Sequence, residues 1–368
     1  MKVLILATDY PRPDGYVASY FIHSRNLYYK EKLVDVTVLN FNSKNDYYVD
    51  GIRVICLNSY EKKIESFDLL LSHAPNLRNH YRFLRKNKKK FHDILFFFHG
   101  HEVLKQNEVY PKPYDFVKKD NTLKLLIGNL YDQFKILIWR RFFNKNYTKL
   151  KFIFVSNWMF NKFNEFIKMD LDKLETRNFN IYNCIGEKFL TNSYDFKSEK
   201  KYDFITIRNL LDKSKYAIDI VNEIAKENPD YSFCIVGKGE YFNHYGIAAN
   251  VEFVDKHLAH QEVLEYLNES RCALMPTRAD AQGVMVCEMA TYGIPVITSD
   301  IEVCKEVLGD FPNVTYMDND IQSINSYIDL NEVFNSWSTN KNEKFNIENT
   351  INKELELMNN ILESNKNV

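Results

Sequence analysis

The sequence predicts an α/β protein of two domains, each built on a parallel sheet, that face one another across a cleft. Three observations carry this. The chain has 368 residues, more than one hydrophobic core ordinarily fills, so two domains of similar size are expected. Short apolar runs alternate throughout with longer stretches of helical period, the pattern of β-α units wound around a parallel sheet. Near the middle, residues 191–201 (Thr-Asn-Ser-Tyr-Asp-Phe-Lys-Ser-Glu-Lys-Lys) are polar and follow neither period, which marks a linker.

The elements follow in order. In the first domain, residues 1–190, strands are expected near 3–7, 34–39, 53–57, 68–71, 94–98 and 152–155, with helices such as 17–30 and 157–167 between them. In the second, residues 202–340, strands are expected near 204–207, 233–236, 251–254, 273–276, 295–298 and 314–316, separated by helices near 216–226, 261–268 and 283–292. Residues 341–368 alternate polar and apolar side chains at helical spacing and predict a terminal helix that packs back on the first domain. Ligands of such architectures bind outside the carboxyl ends of the strands.

Composition narrows the class. Hydrophobic residues make up 45% and charged residues 26%, the balance of a soluble globular protein. No stretch reaches the roughly 18 apolar residues of a membrane span, and residues 1–7 are too short for a signal peptide, so a cytoplasmic location is expected. The six cysteines (Cys56, Cys184, Cys234, Cys272, Cys287, Cys304) are scattered without a Cys-x-x-Cys pair. That fits reduced, buried thiols better than a disulfide frame or a zinc site. The net charge of −1 conceals an asymmetry: residues 1–200 hold 34 Lys and Arg against 22 Asp and Glu, leaving 14 against 27 for the rest. A basic half and an acidic half point to different partners.

The densest chemistry lies in residues 276–297. A strand ends at Pro276, a loop carries Asp280, Gln282 and Gly283, a helix starts about Val284, and Gly293-Ile294-Pro295 turns into another strand. A helix N-terminus offers unpaired N–H groups and partial positive charge to an anion. Glu288, just over one turn inside, can reach the paired hydroxyls of a ribose lying across that start. The plain alternative is a loop-helix with Asp280 as a turn residue and Glu288 solvated. This segment resembles the signature of retaining glycosyltransferases of the family-4 type, which have the GT-B fold of two Rossmann-like domains. Asp280, seven residues, Glu288, then Gly293-Ile294-Pro295-Val296 follow the family pattern, with Asp280 where Glu is usual and Gln282 where an aromatic is usual. The resemblance implies that Asp280, with the backbone of Gln282, Gly283 and Val284, holds the donor sugar, and that Glu288 holds the ribose.

Further motifs fall in the family's order. Arg208-Asn209-Leu210-Leu211-Asp212-Lys213 resembles its Arg-x4-Lys, in which the two cations grip the donor diphosphate and stabilise the departing charge; alone, the pair reads equally as surface charge. Val236-Gly237-Lys238-Gly239 resembles its Val-Gly-x-Gly turn beneath the nucleotide, although a Gly-x-Gly by itself is more often a tight turn. In the first half, the loop 8–15 ends in Gly15, the one glycine where the family often has two, and resembles the loop that approaches the donor phosphate. Phe98-His99-Gly100-His101-Glu102 resembles the family's His-Gly-x-Glu/Asp, whose histidine faces the reaction centre. His99 is assigned that role, and His101 is left structural. Ser156 and Asn183 also match family positions, where capping and turn roles suffice.

Absences matter too. There is no Gly-x4-Gly-Lys-Ser/Thr loop and no Gly-x-Gly-x-x-Gly after the first strand, which argues against a nucleotide triphosphatase and a nicotinamide enzyme. The Asp-x-Asp pairs Asp170/Asp172 and Asp318/Asp320 lie away from the other motifs, so no cofactor or obligatory metal is expected. From Arg78 to Lys90 the chain gathers Arg82, Arg85, Lys86, Lys88, Lys89 and Lys90 beside Tyr81, Phe83 and Leu84. From Leu123 to Lys151 it mixes Trp139, Phe142, Phe143 and Tyr147 with Arg140, Arg141, Lys145 and Lys149. Cations with interfacial aromatics suit peripheral contact with anionic membrane at the inner face of the cell membrane; the alternative is a solvated basic face. No motif supports nucleic-acid binding.

The expectation is therefore a retaining glycosyltransferase with a nucleotide-sugar donor, a UDP-sugar being favoured. The acceptor would be a glycan or a lipid-linked glycan in bacterial surface polysaccharide or glycolipid synthesis. Two other readings stay open: a non-catalytic GT-B partner subunit that binds glycan or a transferase, and a sugar-nucleotide epimerase.

Overall fold

The computed structural model describes every residue except Val17, Ile64 and residues 118–121, 321–327 and 367–368. The chain divides into two compact units. The first comprises Met1–Lys105, Tyr131–Asn183 and Ile347–Val368; the second comprises Gln106–Leu130 and Cys184–Asn346.

The first unit holds an eight-stranded sheet. Its strands are β1 (Lys2–Ala7), β2 (Asp35–Asn40), β3 (Tyr47–Val49), β4 (Ile52–Ile55), β5 (Leu69–His73), β6 (Asp93–Phe98), β7 (Leu150–Phe154) and β8 (Asn178–Asn180). The order is β3-β4-β2-β1-β5-β6-β7-β8, with every pair parallel except β3 with β4. Strands covered on both faces need continuous apolar runs, not alternation. Val3–Ala7, Leu69–Leu71 and Ile94–Phe98 supply them, each buried throughout.

The second unit holds a six-stranded, fully parallel sheet. Its strands are β9 (Tyr202–Leu210), β10 (Phe233–Lys238), β11 (Val251–Val254), β12 (Ser270–Met275), β13 (Val296–Ser299) and β14 (Val314–Met317), in the order β11-β10-β9-β12-β13-β14. Two parallel-sheet α/β units are what the expected GT-B fold requires.

Every strand expected from the sequence is present. Two short edge strands, β3 and β8, were not expected, because three-residue segments carry no period. The helix expected over 17–30 runs Tyr20–Glu31, Val17 lying outside the described residues, and the terminal helix is Ile351–Lys366.

The linker expected at 191–201 is instead packed within the second unit. The Asp195 N–H donates to Asn268 Oδ1 at 3.0 Å, Ser198 Oγ donates to the Asn268 carbonyl at 2.6 Å, and Phe196 stacks on Trp337 at 3.8 Å. Polarity there serves hydrogen bonds to the protein as well as solvation. Residues 106–130, placed by sequence order in the first domain, belong to the second unit, where Tyr114 donates to Asp219 Oδ1 at 2.7 Å. The terminal helix belongs to the first, where Tyr28 donates to Asn352 Oδ1 at 2.9 Å.

A second correction concerns the aromatics of the basic half. Trp139 and Phe143 are fully buried and Phe142 nearly so. They interlock with Phe96 and Phe152 in a cluster whose rings meet edge-on or in stacks at 5.1–6.4 Å. Such rings gain more in a core than at an interface. Arg140 is likewise turned inward, donating to the Phe166 carbonyl at 2.9 Å and the Ile167 carbonyl at 2.5 Å. The side chains of residues 123–126 lie outside the described residues.

Candidate functional site

In the second unit the predicted donor-binding residues gather at the carboxyl ends of β9, β10 and β12. β9 runs through Leu210, so Arg208 leaves from the strand itself and is buried. Its Nη2 donates to the Pro276 carbonyl at 2.7 Å, and its guanidinium lies over the Tyr216 ring at 5.0 Å. Its Nε is buried with no hydrogen-bond partner among the described residues. Burial pulls this guanidinium below its ordinary range, and the charge of Asp280 is the largest influence opposing that. A buried cation held by one carbonyl is poised for an anion. Lys213, past the end of the strand, is exposed.

The glycines of the Val-Gly-x-Gly turn have a steric cause. The β9–β10 register slips between Val236 and Lys238, forming a bulge. A Cβ on Gly237 would overlap the carbonyl oxygen of Arg208. One on Gly239 would lie 2.5 Å from Asp212 Oδ1, which accepts the Glu240 N–H at 2.7 Å. The two motifs therefore form one packed corner, and Gly237 lets Arg208 sit where it does.

The loop after β12 is pinned before it reaches Asp280. The Thr277 N–H donates to Ser299 Oγ at 2.8 Å, and Arg278 forms a fork with Asp219 at 2.8 and 2.6 Å. Asp280 is half-buried and accepts the Ala281 N–H at 2.8 Å. Gln282, which stands where the family usually has an aromatic residue, is buried. Gly283 caps the helix Val284–Tyr292 at φ 73°, a left-handed conformation that suits glycine. The first helical turn accepts at the Gly283 carbonyl from Val286 and Cys287, so the N–H groups of Val284 and Met285 stay outside the helix ladder.

Glu288 is not the solvated side chain of the plain alternative. It is buried, its Oε1 accepts the Gly186 N–H at 3.0 Å, and burial pushes its carboxyl up to about 7. Three residues that shape this corner were missed by sequence reasoning, Gly186 by donating to the acid itself and the other two by fixing the segments around it. Gly186 fits because a Cβ there would lie 2.9 Å from His260 Cε1 and 3.2 Å from Glu288 Oε1. Lys341 donates to the carbonyls of Phe189 (2.9 Å), Thr291 (3.1 Å) and Asn192, tying the helix Glu187–Thr191 to the end of Val284–Tyr292. Arg278 fixes the loop. None of them has a spacing that marks it in advance.

The first unit places His99 at the end of β6. The turn after it is closed by buried Glu102, which accepts the His99 N–H at 3.0 Å and the Gly100 N–H at 2.7 Å. The His99 and His73 rings meet at 3.2 Å through Nε2 and Nδ1, and burial holds both well below the ordinary histidine range. Phe21 packs on His99 at 4.6 Å and Phe97 on His73 at 4.0 Å. Asn183 accepts from Arg25 Nη2 at 2.8 Å and lowers the cost of charging His99. Ser156 caps the helix Asn157–Ile167 through the Met159 N–H at 3.1 Å, as expected. Gly15 lies in a turn closed by its own N–H to the Arg12 carbonyl at 3.1 Å. The Asp-x-Asp pairs are local turns: Asp170 accepts the Asp172 N–H at 3.3 Å, and Asp318 the Asp320 N–H at 3.0 Å.

Comparison with known proteins completes the picture. Residues 193–347 match the family model described as glycosyl transferases group 1. An uncharacterized 41.2 kDa protein in the cps region of Klebsiella pneumoniae is 23% identical over 314 residues, which cover 81% of this chain and 76% of that protein. Among solved structures, sucrose-phosphate synthase of Thermosynechococcus elongatus aligns at TM-score 0.70 and 11% identity, over 99% of both chains. A glycosyltransferase of Rickettsia africae aligns at 0.64 and 12%, over 98% of both. HepE of Anabaena, solved with UDP and glucose, aligns at 0.64 and 10%, over 99% of this chain and 100% of its own. At these identities the solved structures speak for the fold. The group 1 model spans the second unit's motifs from Arg208 to Glu288 and makes the chain a glycosyltransferase, while the solved neighbours give the GT-B fold along its whole length.

Proposed function

We propose that this glycosyltransferase is a retaining enzyme of the family-4 type that uses a nucleoside diphosphate sugar, a UDP-sugar being favoured. The observation that carries the donor assignment is Arg208: a buried guanidinium with an unpartnered Nε, beside a glycine corner and an open helix start. Asp280 is the largest influence favouring the charged form of that guanidinium, and a diphosphate would supply the partner that its Nε lacks. Arg208 and Lys213 would stabilise the departing diphosphate. Asp280 and the backbone from Gln282 to Val284 would hold the sugar, and Glu288 the ribose. An N–H from Gly186 already lies on Glu288 Oε1, which leaves its other oxygen for a hydroxyl.

In the retaining reaction the acceptor hydroxyl attacks on the side from which the leaving group departs, passing its proton to a phosphate oxygen of the donor. The charge is handled by the protein's own cations, so no metal is required. The role of His99 at the reacting sugar rests on the motif resemblance and not on its neighbours in the first unit. UDP is favoured because HepE was solved with UDP and glucose. The placement in surface polysaccharide synthesis is supported by the cps-region relative, and it makes a glycan or lipid-linked glycan the acceptor.

The test is a panel of nucleotide sugars with mass-spectrometric detection of nucleoside diphosphate release, on wild type, Lys213→Ala and Glu288→Gln. Slow release from one donor, lost in both variants, supports the reading and names the sugar. Conversion of donor to an isomer would establish an epimerase instead. No binding to any donor by calorimetry would leave the partner-subunit reading.

A further inference from the structure

The second unit takes one of its pieces from a distant part of the chain. Residues 106–130 lie between β6 and β7 of the first sheet in sequence, yet they belong to the second unit. Tyr114 and Phe116 of this segment pack against the second unit's core. The Tyr114 ring meets Tyr241 at 5.0 Å, and Phe116 stacks on His244 at 4.3 Å. The Tyr114 hydroxyl reaches the start of the helix Ile218–Glu227, donating to Asp219 Oδ1 at 2.7 Å and accepting the Asp219 N–H at 3.5 Å. That helix has Ala217 at its cap position, in a left-handed conformation at φ 54° and with no side chain that can accept a first-turn N–H. Tyr114 does from 105 residues away what a cap residue ordinarily does locally.

Asp219 has a second partner. Arg278 forks onto it at 2.8 and 2.6 Å, and the same arginine ties two loops together. Its Nη1 donates to the Ser214 carbonyl at 2.9 Å. Its backbone N–H donates to the Lys215 carbonyl at 2.8 Å, which also accepts from Thr277 Oγ1 at 3.0 Å. One of these loops follows directly on Lys213, and the other leads directly to Asp280. Lys215 also lies over Tyr110 of the same distant segment, at 5.7 Å. Burial, and then the charge of Asp219, push the Tyr114 hydroxyl far above its ordinary range, so it stays a donor to that carboxylate. We propose that Tyr114 is a positioning residue for the transfer reaction: through Asp219 and Arg278 it sets the loops that carry Lys213 and Asp280. Those two residues have their roles on the donor reading given above, on which this inference rests. Packing of the segment needs only the rings. The hydroxyl, aimed at a carboxylate that Arg278 already holds, adds the link to the loops.

The experiment compares the full chain with Tyr114→Phe, Asp219→Asn, the double variant and Phe116→Leu, each checked by circular dichroism to be folded at the assay temperature. Turnover is measured with the nucleotide sugar that the wild type cleaves. Tyr114→Phe should lower kcat roughly 10- to 100-fold, as a small misplacement of reacting groups does. Donor KM should change less, because the departing charge develops only in the transition state. The double variant should be about as slow as Asp219→Asn, since the hydroxyl acts through that carboxylate. Phe116→Leu, which trims a ring contact and spares the hydroxyl, should turn over as wild type. Hydrogen exchange of the ligand-free protein gives a readout that needs no turnover. Peptides covering residues 213–217 and 276–283 should exchange at least about tenfold faster in Tyr114→Phe. Wild-type kcat or wild-type exchange in Tyr114→Phe, additive losses in the double variant, or an equal loss in Phe116→Leu would each overturn the inference. If the wild type cleaves no donor, the donor reading fails on its own account, and exchange still decides whether Tyr114 holds the two loops.

Discussion

Both units bury an arginine, and they treat it in opposite ways. In the first, Arg25 faces Glu354 at 3.0 Å, reaches Asn183 at 2.8 Å and the Phe21 carbonyl at 3.0 Å, and Glu354 also accepts from Tyr29. In the second, Arg208 has the Pro276 carbonyl and an unpartnered Nε. A buried charge without a counterion costs free energy that something must return. Arg25 is repaid inside the protein, which makes it architecture: it ties the terminal helix to the helix Tyr20–Glu31. Arg208 is left for a ligand to repay, which makes it a site.

The largest effect tests the first half of that comparison. Glu354→Ala strands Arg25 in the core, and breaking a buried pair from one side costs about 3–5 kcal/mol. Chemical unfolding should therefore show a fall of that size. The mirror experiment is Arg208→Met. It removes a buried charge that feels Asp280 but forms no ion pair among the described residues, so unfolding without ligand should be unchanged or shifted towards greater stability. Donor turnover should fall about 100- to 1000-fold, as when a positioned electrostatic group is lost. A variant that loses stability and activity together would mean that Arg208 is structural like Arg25, and the contrast would collapse.

The units also differ in the sign of their pH dependence. Glu288 has its carboxyl raised to about 7 from 4.5, so the folded second unit prefers the protonated form. Its contribution is complete below pH 4.5 and is lost as pH rises to 7, about 3 kcal/mol in all. His73 and His99 in the first unit are depressed below the ordinary 6.5. Their contribution is present above that pH and is lost on acidification. Hydrogen exchange resolved by peptide should show the second unit opening more easily as pH climbs from 4.5 to 7, and the first as pH falls below 6.5. Glu288→Gln should flatten the second slope and leave the first. Parallel slopes in both units would break the comparison.

What could be read from the sequence divides along physical lines. The parallel strands were legible because burial on both faces demands unbroken apolar runs such as Leu69–Leu71. Arg208, Asp280, Gly283 and Glu288 could be singled out as candidates because their order and spacing resemble the family pattern, and the structure places them at strand ends and one helix start. What was hidden depends on contacts between residues far apart in sequence. Nothing local marks Glu354 as the partner of Arg25, 329 residues away, or Gly186 as the donor to Glu288. Residues 191–201 read as a linker because hydrogen bonds to Asn268 leave no periodic trace. Trp139 and Arg140 read as part of a membrane-facing surface because sequence alone does not show which side of a long helix faces the sheet.

The smallest effect separates two glycines that the sequence treats alike. Gly237 is fixed by space: its Cβ would overlap the Arg208 carbonyl. Gly15 has φ 86° and nothing within 4 Å of where a Cβ would stand, so alanine there meets only the intrinsic left-handed penalty, about 1–2 kcal/mol. Gly237→Ala should therefore cost more stability than Gly15→Ala and, by moving Arg208, lower donor affinity as well. For Gly15→Ala the informative quantity is the donor KM measured beside stability. A loss of stability of that size with KM unchanged would mean that the glycine serves its turn. A KM rise beyond what stability explains would mean that the open space over Gly15 is occupied by substrate during turnover, as the motif's resemblance to a phosphate-approaching loop implies.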